Sequence, residues 1–188
     1  MRFLMWLSRG IVALALVITV VLWFAARRGD RGLIEEEITV ARPPSVVFRW
    51  IRSEELAHRW ISDLIELRKN DADGPDGYSL VQLVNGHRVE MTVRIAREIP
   101  NEELDLLTSS GALVSPEFSG DASFKLIAGD DYTRLVFNSH TQFVRFGDRI
   151  LEPVLTIAMQ RKIRDDLARL KILLEAGAEK SASPRDSR

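Results

Sequence analysis

Cysteine is absent from this 188-residue chain, and histidine (three) and tyrosine (two) are scarce. Without thiols there is no disulfide framework, no thiolate nucleophile and no cysteine-held metal, although this does not report the redox compartment. His58, His87 and His140 lie far apart, and none has a metal-ligand spacing such as HExxH. Gly-rich phosphate loops of the GxxxxGK[ST] or GxGxxG kind are missing too. A basic surplus is also lacking: the formal charge is -1, and because residues 1–32 carry five Arg and one Asp, the remainder is acidic. That balance excludes the electrostatic footprint of a nucleic-acid binder.

What the chain does have is a long apolar run. From Gly10 to Ala26 there is no charge and one hydroxyl, Thr19, and extension back to Phe3 gives a helix long enough for a hydrocarbon core of about 30 Å. Arg9 can snorkel, and Trp6 and Trp23 stand where interfacial rings are favoured. Cleavage after Ala25 or Ala26 would put Trp23 or Phe24 where a signal peptidase needs a small residue, so the run reads as a retained anchor. Arginines at both ends nearly cancel the positive-inside signal, leaving the side of the soluble part open. The expected layout is an anchor at 1–28, a linker at 29–33, one domain at 34–177 and a polar, disordered tail at 178–188.

Within the domain, Ile34–Val40 reads as a strand, its start made polar by Glu35, Glu36 and Glu37, which are expected to be solvated. Pro43 and Pro44 stop it and open a short helix over 45–51, and Ser53 caps a second one. Alternation then predicts strands at 61–69, 78–84, 88–99, 104–109, 117–127 and 132–144, with Asn85-Gly86 as a hairpin turn. Leu151, Leu155, Met159, Ile163, Leu167, Leu170 and Leu174 recur at helical spacing, predicting a long helix from about Asp148 that Gly177 ends, with Pro153 in its first turns. The fold class is therefore α+β, one long helix covering one curved antiparallel sheet.

This order, with Pro43-Pro44-Ser45-Val46-Val47-Phe48 at the first helix and Trp60 closing the second, resembles the START-like or SRPBCC superfamily, the helix-grip fold, across Ile34 to Gly177. Arg42 and Ser53-Glu54-Glu55 depart from its common pattern and prevent assignment to a subfamily. The resemblance implies a cup for an apolar ligand, with enzymes such as polyketide cyclases or dehydratases as a minority.

Alternation places Val89, Met91 and Val93 on one face of the fourth strand. Phe118, Ala122 and Phe124 share a face of the sixth, and Leu135, Phe137, Ser139 and Thr141 a face of the seventh. With Met159 from the helix, these are the expected ligand-binding residues, Gly120 and Ala122 widening the gap and the methionines adapting to shape. No catalytic residue, metal site or cofactor is expected, and the paired carboxylates, Asp165-Asp166 among them, read as turns or exposed helix positions. Arg161, Lys162, Arg164 and Arg169 read as a solvent face, or more sharply as a contact for anionic headgroups. The expected partners are a hydrophobic small molecule and the lipid bilayer, with protein partners unknown. The function is then that of a single-pass, membrane-anchored binder, or alternatively a cyclase-like enzyme or an interaction module of a membrane complex.

Overall fold

The computed structural model describes residues 16, 32–70, 74, 76–84, 87–110 and 117–182. The chain divides into two compact units, Met1–Arg31 and Gly32–Arg188. The expected anchor falls in the first and lies outside the described residues, Leu16 excepted. Among the described residues no helix is long and apolar enough to cross a membrane.

The second unit runs β1 (Leu33–Val40), α1 (Pro44–Arg52), α2 (Glu54–Trp60), β2 (Leu64–Lys69), β3 (Gly77–Val84), β4 (His87–Ile99), β5 (Glu103–Ser110), β6 (Phe118–Ala128), β7 (Thr133–Phe143) and α3 (Phe146–Ala182). Its seven strands form one sheet in the order β1-β7-β6-β5-β4-β3-β2, antiparallel throughout. Only the β1–β7 pairing is non-local, so the sheet is a meander closed by the return of its last strand to its first.

Local chemistry explains the helix starts. Pro44 begins α1 with the fixed φ a first turn requires and no N–H to lose. The Ser53 side chain accepts from the Leu56 N–H and so caps α2. The long helix begins two residues earlier than the spacing predicts, which puts Pro153 inside it, where it withholds one i→i−4 hydrogen bond. It also continues through Gly177 to Ala182. A glycine costs a helix only about 1 kcal/mol relative to alanine, and Ala178, Glu179 and Lys180 beyond it are strong helix formers.

Leu167, Leu170 and Leu174 of α3 are buried in one core with Ile34, Val40, Leu135, Phe137, Phe124 and Trp60. Two polar clamps add direction to this packing. Glu36 accepts from Arg164 Nε at 3.1 Å and Nη2 at 2.7 Å, and from Gln160 Nε2 at 2.9 Å. Asp166 accepts from the Ser62 N–H at 2.8 Å and from Lys162 Nζ at 2.6 Å, while Lys162 also donates to the Ser62 carbonyl at 2.9 Å. Both clamps correct the sequence reading. Glu36 is not solvated like its exposed neighbours Glu35 and Glu37, and Asp166 is buried rather than on an outer helix face. Arg164 and Lys162 are spent on these contacts, which leaves Arg161 and Arg169 as the exposed cations of the four not joined to a clamp.

Hydrogen bonds from Arg164 hold the Glu36 carboxyl below its ordinary value of 4.5; partial burial opposes them, and the Gln160 hydrogen bond and Arg164's charge assist. A depressed carboxylate contributes stability that is present above the ordinary value and lost as pH falls through the folded one. Glu36→Gln should therefore melt below the wild type at neutral pH, and the gap should narrow on acidification below pH 4.5. Thermal melts across that range check it.

Candidate functional site

Cross-strand register sorts the inner face of the sheet into rows. One row comprises Leu104, Phe124, Phe137 and Glu36, and the next towards the strand ends Leu126, Leu135 and Ile38. Leu104, Phe124, Phe137, Leu126 and Leu135 are buried in the core that the sheet shares with α1, α2 and α3. On the other side of them comes a row of Ile95, Leu106, Ala122, Ser139 and Ile34, and then one of Tyr78, Val93, Thr108, Gly120 and Thr141. Here burial is incomplete: Ile95, Leu106, Ala122, Val93 and Thr108 are only half-buried, as are Leu80 and Met91 beyond them. The reason is where the helix lies. Its contacts with the sheet fall on β1 and β7, so the inner surface of β4 and β5 is not roofed by it.

The expected ligand-binding residues therefore divide. Phe124, Leu135 and Phe137 belong to the sealed core, with Phe124 and Phe137 ring centroids 4.9 Å apart. Phe118 stacks edge-on against Phe143 at 6.4 Å and is buried, as is Val89. Met91, Val93 and Ala122 lie on the half-buried inner surface, Met159 of α3 is half-buried and packs against the core, and Ser139 and Thr141 are buried on β7.

Gly120 does not widen the gap. A β-carbon there would stand 2.4 Å from the carbonyl oxygen of His140 and 3.2 Å from Thr141 Cα, so the space its missing side chain leaves is filled by the main chain of β7. Alternation assigns a side chain to a face but is blind to how closely two strands approach. Gly120→Ala should consequently destabilise the fold by about 1–3 kcal/mol through overpacking, and so lower its melting temperature, rather than act through a ligand. Thermal denaturation of the variant beside Ala122→Gly distinguishes strand contact from cup volume.

Ser139 carries the most unusual chemistry in the site. Its hydroxyl oxygen is buried without a hydrogen-bond partner, in a row whose other members are Ile95, Leu106, Ala122 and Ile34. Buried hydroxyls are nearly always paired with protein, water or ligand, which sets Ser139 apart among the described inner-face residues. Trp60 Nε1 is also unpartnered, but its ring packs edge-on to Phe124 inside the core.

Sequence reasoning did not find three further groups. Arg52, the last residue of α1, donates to Glu98 at 2.9 Å and to the Tyr78 hydroxyl at 3.2 Å, so that hydroxyl is already engaged. Burial pulls the Arg52 guanidinium down, but its hydrogen bonds to Glu98 and Tyr78 outweigh this and raise it. Glu36 is the second, turned inward to Arg164 and Gln160 of α3. Glu152 is buried on α3, seven residues before Met159 and on the same helical side, whereas Leu151, expected to begin the inward stripe, is 54% exposed on the outer side. His58 is exposed, and His140 faces away from the cup, 3.9 Å from Asp121. Among the described residues no cluster of three or more His, Asp or Glu has the makings of a metal site.

The family described as polyketide cyclase / dehydrase and lipid transport matches residues 31–175, and the chain belongs to it. Among solved structures, a conserved protein from Geobacillus kaustophilus superimposes with a TM-score of 0.65 at 13% identity, covering 77% of this chain and 96% of that one. A protein from Chromobacterium violaceum gives 0.60 at 13% identity, with 77% and 97% covered. The Aha1 dimer from Colwellia psychrerythraea gives 0.56 at 18%, again with 77% and 97% covered. At these identities the likeness is one of fold, and it agrees with the helix-grip architecture. No curated protein matches the chain.

Proposed function

We propose that the chain is a membrane-tethered binder that holds a hydrophobic or lipid-like small molecule against the inner face of β4, β5 and β6, for sequestration, presentation or sensing. The family, described in part by lipid transport, supports an apolar ligand. The observation that carries the reading is the pairing of a half-buried apolar wall with a buried, unpartnered Ser139 hydroxyl. An apolar body would cover Met91, Val93, Leu106 and Ala122, and each methylene so buried contributes about 0.8 kcal/mol. A polar group on that body would meet Ser139. Tethering follows from the apolar run at Phe3–Ala26, and it raises the local concentration of the cup beside molecules dissolved in the bilayer.

Two substitutions test this. Ser139→Ala removes a hydroxyl without a partner among the described residues, so the fold should be unharmed or stabilised by about 1 kcal/mol, while binding of a hydroxylated apolar probe such as a long-chain alcohol weakens. Ala122→Leu fills the cup from its floor and should cut uptake of the same probe about tenfold or more in a protein that remains folded. Undiminished uptake in a folded Ala122→Leu variant would defeat the reading.

A cyclase- or dehydratase-like reading has one observation in its favour, the buried carboxylate of Glu152 on the Met159 side of α3. It requires Glu152→Gln to abolish turnover of a polyketide-type substrate without loss of binding.

A further inference from the structure

The outward side of α3 changes character along its length. In its first half Ile150, Leu151, Val154 and Ile157 are 42%, 54%, 66% and 53% exposed, with Val144 at 50% just ahead of the helix. Ile150, Val154 and Ile157 follow one another at four and three residues and make a stripe, and Arg161, also exposed, continues the line one turn on. Beyond it the outward positions are Arg164, Asp165, Ala168, Arg169 and Ile172, a mixed and mainly charged surface. Contiguous large apolar side chains on one exposed helix face are not the scattered apolar positions of an ordinary surface.

The apolar half lies at the end of the domain where residues 1–31 join it. Gly32 has φ +67 and its carbonyl accepts from the Thr141 N–H at 2.9 Å, so the first described residue of the domain is fastened to the end of β7. A β-carbon at Gly32 would stand 2.0 Å from the Thr141 carbonyl oxygen, which leaves glycine as the residue for this close crossing. Leu33, 50% exposed, pairs with His140. From the same strand end the chain turns into α3, where Arg149 Nε donates to the Phe143 carbonyl at 2.9 Å. Gly32, Val144 and the first turns of α3 are thus tied together through residues 140 to 149. Only five residues, Arg27 to Arg31, separate the end of the apolar run Phe3–Ala26 from Gly32.

We propose that the exposed apolar side of α3 from Ile150 to Ile157 rests in the interfacial layer of the bilayer, with Arg161 at the headgroup level. The proposal depends on the tether reading, but not on what the cup holds. An amphipathic helix with an apolar side and a flanking cation binds in the plane of the interface in this way. A tether this short keeps the patch within reach of the bilayer, so no entropic search opposes contact.

The chain has no cysteine, so single-cysteine variants carry a reporter without ambiguity. Full-length Val154→Cys, Ile157→Cys and Ile172→Cys, each labelled with an environment-sensitive fluorophore, are reconstituted into phosphatidylcholine–phosphatidylglycerol vesicles containing shallow doxyl-labelled lipid. Ile172 is the control, being equally outward and 66% exposed but on the charged half. Labels at 154 and 157 should be quenched by the doxyl lipid at least about threefold more than the label at 172. Equal quenching at all three positions overturns the proposal while leaving the tether intact. Shielding of 154 from aqueous acrylamide without doxyl quenching overturns it in favour of a protein occupant, a second copy included. A chain that does not float with the vesicles refutes the tether and this proposal with it, whereas probe uptake by the Ala122→Leu pair reports on the cup independently.

Discussion

Everything about the cup follows from how α3 is held. The helix is long enough to roof most of the sheet, but its contacts lie on the β1–β7 side, where Leu167, Leu170 and Leu174 meet Ile34, Val40 and Leu135. Apolar contact is non-directional and would tolerate sliding of a leucine stripe over a valine and isoleucine floor. The clamps of Glu36 to Arg164 and Gln160, and of Asp166 to Ser62 and Lys162, remove that freedom because charge-assisted hydrogen bonds depend on angle and distance. Pinned there, the helix leaves the inner surface of β4 and β5 half covered.

The half-covered surface is not a uniform wall. Towards the rows of Phe124 and Leu135 it is closed core, and towards Ser139 and Val93 it opens. A hydroxyl without a partner at that transition is tolerable only if its desolvation is offset elsewhere, and a bound molecule with a polar group offsets it directly. Burial of the side chains thus separates the residues that stabilise the fold from those free to meet a ligand.

Much of this was legible beforehand. Strand limits fell within a few residues because polar and apolar side chains largely alternate on β4, β6 and β7, and because prolines and a capping serine punctuate the short helices. The same alternation assigned Met91, Val93, Ala122, Ser139 and Thr141 to one inner face. Three things escaped it. Glu36 looks like one member of a solvated acidic run, yet strand period turns it alone towards α3. Glu152 takes the inward place that apolar spacing assigns to its neighbour Leu151, because hydropathy registers the leucine and not the carboxylate. Gly120 looks like a small residue making room, but the room is taken by the β7 main chain.

By itself the sequence determined the order of elements, the face each strand presents, the apolar run before the domain and the lack of thiol, metal-motif and phosphate-loop chemistry. These depend on local periodicity and residue type, which are written along the chain. The tertiary structure alone decided which inner residues are sealed as core and which stay half-open, that Ser139 has no partner among the described residues, and that Gly32, Val144 and the apolar half of α3 share one end of the domain. Those properties depend on distances between residues more than a hundred positions apart, and they exist only once β1 has paired with β7 and α3 has been fastened across them.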